Sequence, residues 1–119
     1  MVMVKKRAVG EHKRPARHFP KLPAGSRLDG ASDMFRALGD AARLRLLARL
    51  AAADGEICVT ELAELENEKL STISARLKAL HAVRLVKRRR AAKHIFYALT
   101  DIHVLHLMQS AIEHAAERQ

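Results

Sequence analysis

A chain of 119 residues, 49% hydrophobic but only 3% aromatic, can bury one small aliphatic core and is too shallow for a deep enzymatic cleft. A formal net charge of +9 points to polyanionic partners, and the single cysteine, Cys58, excludes an internal disulfide framework and fits a reducing cytoplasm. No apolar run approaches the roughly 20 residues of a membrane span, and the N-terminus lacks the apolar stretch of a secretory signal.

Residues 1–30 gather eight Lys/Arg against Glu11 and Asp29, among Gly10, Pro15, Pro20, Pro23 and Gly25. With no sustained period, this composition predicts a mostly flexible basic tail, and residues 31–119 the folded domain. A short helix is expected from about Ala31 to Leu38, closed by Gly39. Asp40 then caps a second helix in which Leu44, Leu47 and Leu50 recur beside Leu46, while Arg43, Arg45 and Arg49 take the other face. Asp54-Gly55 ends it.

Ile57-Cys58-Val59 is a short apolar piece, after which Thr60 is expected to cap a helix over residues 61–66. Asn67, which tolerates the left-handed conformation, closes that helix. Another helix, over about 71–81, buries Ile73, Leu77 and Leu80; two short helices joined by a tight turn form a helix-turn-helix. Leu85-Val86 opens a strand, residues 89–92 turn, and His94–Leu99 returns with Ile95 and Tyr97 on one side and Phe96 on the other. The fold class predicted is mainly α with a small β-hairpin: a winged helix-turn-helix, dimeric through its terminal helices.

Residues 69–93 carry nine Lys/Arg and no acidic residue. Set on a helix-turn-helix and wing, such a run reads as a surface for double-stranded DNA. The first half of the 71–81 helix would enter the major groove, with Ser71, Thr72 and Ser74 on or near its exposed side. Arg76 is the candidate base reader, because one guanidinium can meet both guanine acceptors. Lys78, Arg88, Arg89, Arg90 and Lys93 are read as phosphate contacts, which position without specifying.

The last segment holds Asp101-Ile-His103 and His114-Ala-Ala-Glu117 on one amphipathic stretch, with Ile102, Leu105, Met108, Ile112 and Ala115 as its apolar stripe. If Asp101 caps a helix, His103, His114 and Glu117 project within about 60° of one another at about 100° per residue. The two histidines are still about 16 Å apart along the axis. An ion with ligands at about 2.0–2.2 Å cannot take both pairs from one helix. An antiparallel second copy would set Asp101 and His103 opposite the other chain's His114 and Glu117, crossing near Met108 and Gln109 and making two equivalent sites. Two imidazoles with two carboxylates suit Zn(II), with Co(II) as surrogate, whereas softer ions favour sulfur. Four protein ligands leave no open position for water, which argues for sensing over hydrolysis.

Together these residues resemble the ArsR/SmtB family of metal-responsive repressors, in its zinc-sensing branch with the site on the C-terminal helix. The resemblance covers about residues 33–118. It rests on Leu38-Gly39-Asp40 with Arg43-Leu44-Arg45-Leu46-Leu47, on Ile57-Cys58-Val59-Thr60-Glu61-Leu62, on Ser71-Thr72-Ile73-Ser74, and on Arg84-Leu85-Val86. His94-Ile95-Phe96-Tyr97 and the spacing of the final Asp, His, His and Glu complete it.

It implies a repressor that binds operator DNA as an apo homodimer and is released by Zn(II) at inter-subunit sites. It also implies that the ligand aligned with His114 hydrogen-bonds, through its other ring nitrogen, a backbone carbonyl resembling that of Arg84. The chain departs from the family at Asn67-Glu68-Lys69, where a Gly, an apolar residue and a polar cap are usual. It departs again at Arg90-Ala91-Ala92-Lys93, where the wing usually turns at a Gly, and at Ala75, where a polar or His residue is common.

Relatives that sense soft metals add a C-x-C at the start of the first helix-turn-helix helix; here Cys58-Val59-Thr60 lacks the second sulfur. Glu61, His12 and His18 would complete a weak second metal site, against the plain reading of Cys58 as a small buried hydrophobe. His81, His94 and His106 are read as packing or surface histidines. The alternative function is a metal-independent or thiol-responsive winged-helix DNA-binding regulator.

Overall fold

The computed structural model describes residues 21–117. The elements are α1 (Gly25–Leu38), α2 (Ala41–Ala53), β1 (Ile57–Cys58), α3 (Val59–Glu66), α4 (Leu70–Ala82), β2 (Val86–Ala91), β3 (His94–Leu99) and α5 (Ile102–Ala116). α3 and α4 form the helix-turn-helix and β2–β3 the wing, in a three-stranded antiparallel sheet of order β1-β3-β2. The architecture is a winged helix-turn-helix. Among the described residues no helix is long and apolar enough to cross a membrane.

The stop signals act by satisfying orphaned backbone groups at helix ends. Asp40 Oδ2 accepts the Arg43 N–H at 3.0 Å. Asp54 and Asn67 take left-handed conformations at φ 52 and 53, ending α2 and α3. After Asn67, the Glu68 N–H donates to the Ala63 carbonyl at 3.0 Å.

Four local features differ from the sequence expectation. α1 begins at Gly25, inside the stretch read as tail. Its first turns contain Gly25 and Gly30, each costing about 1 kcal/mol in a helix relative to Ala, which hides the helix from propensity. The packing of α1 lies in its second half, where Ala37 is buried and Met34 and Leu38 pack against the core, and residues 25–33 are exposed. α3 is capped by Cys58, not Thr60, because pairing of Ile57 with Tyr97 makes a strand of the preceding residues and fixes where the chain turns. The wing turns on Ala92 and Lys93, so Arg89 and Arg90 lie within β2 and not in a turn. Ala92 stands at φ 55, a conformation that costs a non-glycine residue about 1 kcal/mol. On α5 the inward positions are Val104 and Met108, while Ile102 and Ile112 of the expected stripe are 55% and 46% exposed.

Leu46, Leu47 and Leu50 of α2, Leu62 of α3, and Ile73, Leu77 and Leu80 of α4 form the centre of the core, closed by Val86 and Tyr97 of the sheet. Ile57 faces Tyr97, and Cys58 faces Phe96. Alternation therefore puts Ile57, Val86 and Tyr97 on the core side, and Cys58, Arg89 and Phe96 together on the other.

All three arginines on the polar side of α2 are structural. Arg43 Nε donates to the Ala37 carbonyl at 2.8 Å, closing the end of α1. Arg45 and Arg49 donate through Nε to Glu66, the last residue of α3, at 2.8 and 2.6 Å. The Glu66 side chain is 7% exposed. Hydrogen bonds from Arg45 and Arg49 hold its carboxyl below the ordinary range, and the same contact raises Arg45.

Candidate metal centre and nucleic-acid interface

Asp101 is the N-cap of α5. Its Oδ1 caps α5, accepting the backbone N–H of His103 at 2.9 Å and of Val104 at 3.3 Å. Among the described residues nothing donates to Oδ2, so the cap leaves one carboxylate oxygen for a cation. His103 Nδ1 lies 3.5 Å from Asp101 Oδ1, and its side chain is 88% exposed. At the other end of α5, His114 Nδ1 lies 4.0 Å from Glu117 Oε1.

The residues thus come together in pairs, and the two pairs stay apart. Among the described residues no group of three or more His, Cys, Asp or Glu gathers around a point that could hold a metal. Each pair offers one imidazole nitrogen and one carboxylate oxygen. That is half of a tetrahedral shell.

At the second site, Cys58 and Glu61 line a shallow cleft with Thr60, Glu64, His94 and Phe96. Cys58 Sγ lies 3.8 Å from His94 Nδ1. His94, read from the sequence as a packing or surface histidine, is thus a neighbour of the thiol. The only sequence signal was the pairing of Cys58 with the β3 strand, which a two-residue β1 does not announce. His12 and His18 lie outside the described residues.

On α4, Ser71, Ala75 and Lys78 are exposed on the side opposite Ile73, Leu77 and Leu80. Thr72, Ser74 and Arg76 flank them, half-buried. Arg76 Nη1 lies 3.6 Å from Glu68 Oε2. On the wing, Arg88, Arg90 and Lys93 are exposed, and none has a carboxylate within ion-pair reach among the described residues.

Arg89 is different. Its Nε donates to both Glu56 oxygens at 3.2 and 3.3 Å, its Nη2 also donates to Glu56, and its guanidinium carbon sits 4.9 Å from the Phe96 ring centre. The hydrogen bond from Arg89 lowers the Glu56 carboxyl and raises Arg89 itself. Arg89 ties the wing to the approach of β1. Lys87, two positions before it on β2, is a further exposed cation.

The transcriptional repressor SmtB homolog of Synechocystis sp. is 39% identical over 98 residues, covering 82% of this chain and 73% of that protein. The chain belongs to the ArsR/SmtB family. The HTH-type transcriptional repressor SmtB of Mycobacterium tuberculosis is 33% identical over 115 residues, 92% of this chain and 84% of the relative. A homodimeric winged helix-turn-helix DNA-binding domain from Mycobacterium bovis, described as a possible ArsR-family regulator, superposes with a TM-score of 0.73 at 28% identity. It covers 89% of this chain and is itself covered over 91%. No family model matches the sequence. These relatives are transcriptional repressors, and membership of their family makes the chain a transcriptional regulator and not an enzyme.

Proposed function

We propose that two copies of this chain form a DNA-binding repressor whose operator affinity is lowered by Zn(II) held between the subunits. The observation that carries the reading is the pair of exposed half-sites at opposite ends of α5. Neither is a metal site alone, and an antiparallel second α5 completes both at once. His103, Leu107, Ser110 and His114 fall on one side of the helix at about 100° per residue, so small and apolar side chains separate the two half-sites along the seam. Exposed Leu28 and Phe35 on α1, and Ile102 and Ile112 on α5, supply apolar surface for the second copy to cover. Relatives of this fold with homodimeric structures support the same assembly.

Asp101, His103, His114 and Glu117 fit Zn(II) by donor type, with Co(II) as surrogate. Bound there, the ion would join the two α5 helices. What links α5 to the DNA surface in this chain is Thr100. Its Oγ1 donates to the Arg84 carbonyl at 2.7 Å and its N–H donates to the Leu85 carbonyl at 3.2 Å. Residue 100 thus precedes the cap ligand Asp101 and grips the exit of α4.

On DNA, Arg76 reads a base and Lys78, Arg88, Arg90 and Lys93 contact phosphates, with Ser71, Thr72 and Ser74 alongside. Arg89 contributes by holding the wing in place as well as by its charge.

Zinc stoichiometry tests the cross-chain site. A heterodimer of one His103→Ala chain and one His114→Ala chain retains one intact site and one lacking both histidines. The reading predicts one high-affinity Zn(II) per heterodimer against two per wild-type dimer, measured by competition with a chromophoric chelator. Two full-affinity sites in the heterodimer would refute it.

A further inference from the structure

Arg76 does not stand free on α4. Its Nη1 is 3.6 Å from the Glu68 carboxylate, and both side chains are partly exposed. Glu68 reaches this place because Asn67 turns left-handed at φ 53 and the Glu68 N–H is tied to the Ala63 carbonyl. Glu68 stands just before the Lys69 N-cap of α4, and Arg76 lies on the helix with Thr72 one turn before it. Glu68 is also the last acidic residue before the cationic run of residues 69–93.

We infer that Glu68 is a specificity-determining residue, whose carboxylate holds Arg76 toward a guanine edge and withholds it from the phosphate backbone. The inference rests on the DNA-binding reading above. The contact with Glu68 is an ion pair at 3.6 Å, so the five N–H donors of the guanidinium stay available for both guanine acceptors. On a matched site the pair persists, and Glu68 braces the reading side chain. On an unmatched duplex the nearest partner for Arg76 is a phosphate. Reaching it breaks the pair and leaves a bare carboxylate against a polyanion. Glu68 therefore penalises unmatched DNA and spares matched DNA, which is specificity by repulsion. An exposed ion pair of this kind is worth up to about fivefold in an equilibrium constant.

The test uses the full-length, chelator-treated protein, the duplex it selects best from a randomised library, and a scrambled duplex of equal length. Glu68→Gln should tighten binding to the scrambled duplex about fivefold and change binding to the selected duplex less than twofold. Glu64→Gln, which removes an exposed carboxylate from the neighbouring helix, should shift both duplexes by the same factor. In an Arg76→Ala background, Glu68→Gln should no longer alter discrimination. Equal tightening on both duplexes by Glu68→Gln, no change on either, or an undiminished effect without Arg76 would each overturn the inference. If the wild-type chain selects no duplex, the DNA-binding reading itself falls, and this inference with it.

Discussion

The Thr100 hydroxyl donates to the backbone carbonyl of Arg84 at 2.7 Å, joining the residue before the α5 cap to the residue after the C-cap of the recognition helix. Arg84 is held at φ 63, so the chain leaves α4 through a left-handed step that this bond helps fix. Family resemblance directs attention to the same carbonyl as an acceptor for a ligand histidine. In this chain it already serves Thr100 from within the subunit, and a carbonyl keeps a second lone pair for another donor.

Thr100→Val removes the hydroxyl with little change of shape. Zinc affinity and metal-free DNA affinity should each stay within about twofold of wild type. The ratio of DNA affinities without and with zinc should shrink by about two- to tenfold, the worth of one neutral hydrogen bond of about 0.5–1.5 kcal/mol. Anisotropy titrations at saturating zinc and in chelator give that ratio directly. An unchanged ratio would remove Thr100 from the coupling.

Glu66 sets an acid limit on stability. Its folded carboxyl is held below its unfolded value by Arg45 and Arg49, so the ionised form adds stability that is present above the unfolded value near 4.5. That stability is lost as pH falls through the lower folded value. Glu66→Gln should lower urea-unfolding stability at pH 7 by about 1–2 kcal/mol, and the gap to wild type should close as pH drops below about 4. A gap that is constant across this range would exclude the clamp as its cause.

The wing arginines should separate into two kinds. Arg88→Ala and Arg90→Ala should each lower the salt dependence of DNA binding by roughly one unit and leave the melting temperature unchanged. Arg89→Ala should lower the melting temperature as well, because it releases Glu56 and uncovers Phe96. An unchanged melting temperature for Arg89→Ala would contradict the structural role of Arg89.

The elements that the sequence makes legible are those whose signals are local. Asp40, Asp54 and Asn67 each bound a helix by satisfying a backbone group within four residues, and Ile73, Leu77 and Leu80 repeat at the helical period. What stays hidden depends on distant partners. β1 is two residues long and exists through its pairing with Tyr97 and Phe96, and it moves the α3 cap from Thr60 to Cys58. Arg89 finds Glu56 across 33 positions, so a run of charge gave no sign that one member was engaged. The start of α1 is masked by two glycines in an exposed stretch with no apolar period. At α5 the apolar stripe is readable in part: Met108 is buried and Leu105 packs against the core as expected, whereas Val104 turns inward in place of Ile102 and Ile112.

One titration, performed in reductant so that Cys58 stays a thiol, tests zinc-driven release from DNA most directly. Fluorescence anisotropy would follow binding of the chain to its selected duplex, in chelator and at saturating Zn(II), for wild type and His103→Ala. The account predicts that zinc weakens wild-type binding by at least tenfold and leaves His103→Ala unaffected, with both proteins binding alike in chelator. Equal wild-type affinity with and without zinc, or full zinc-driven release of His103→Ala, would contradict it.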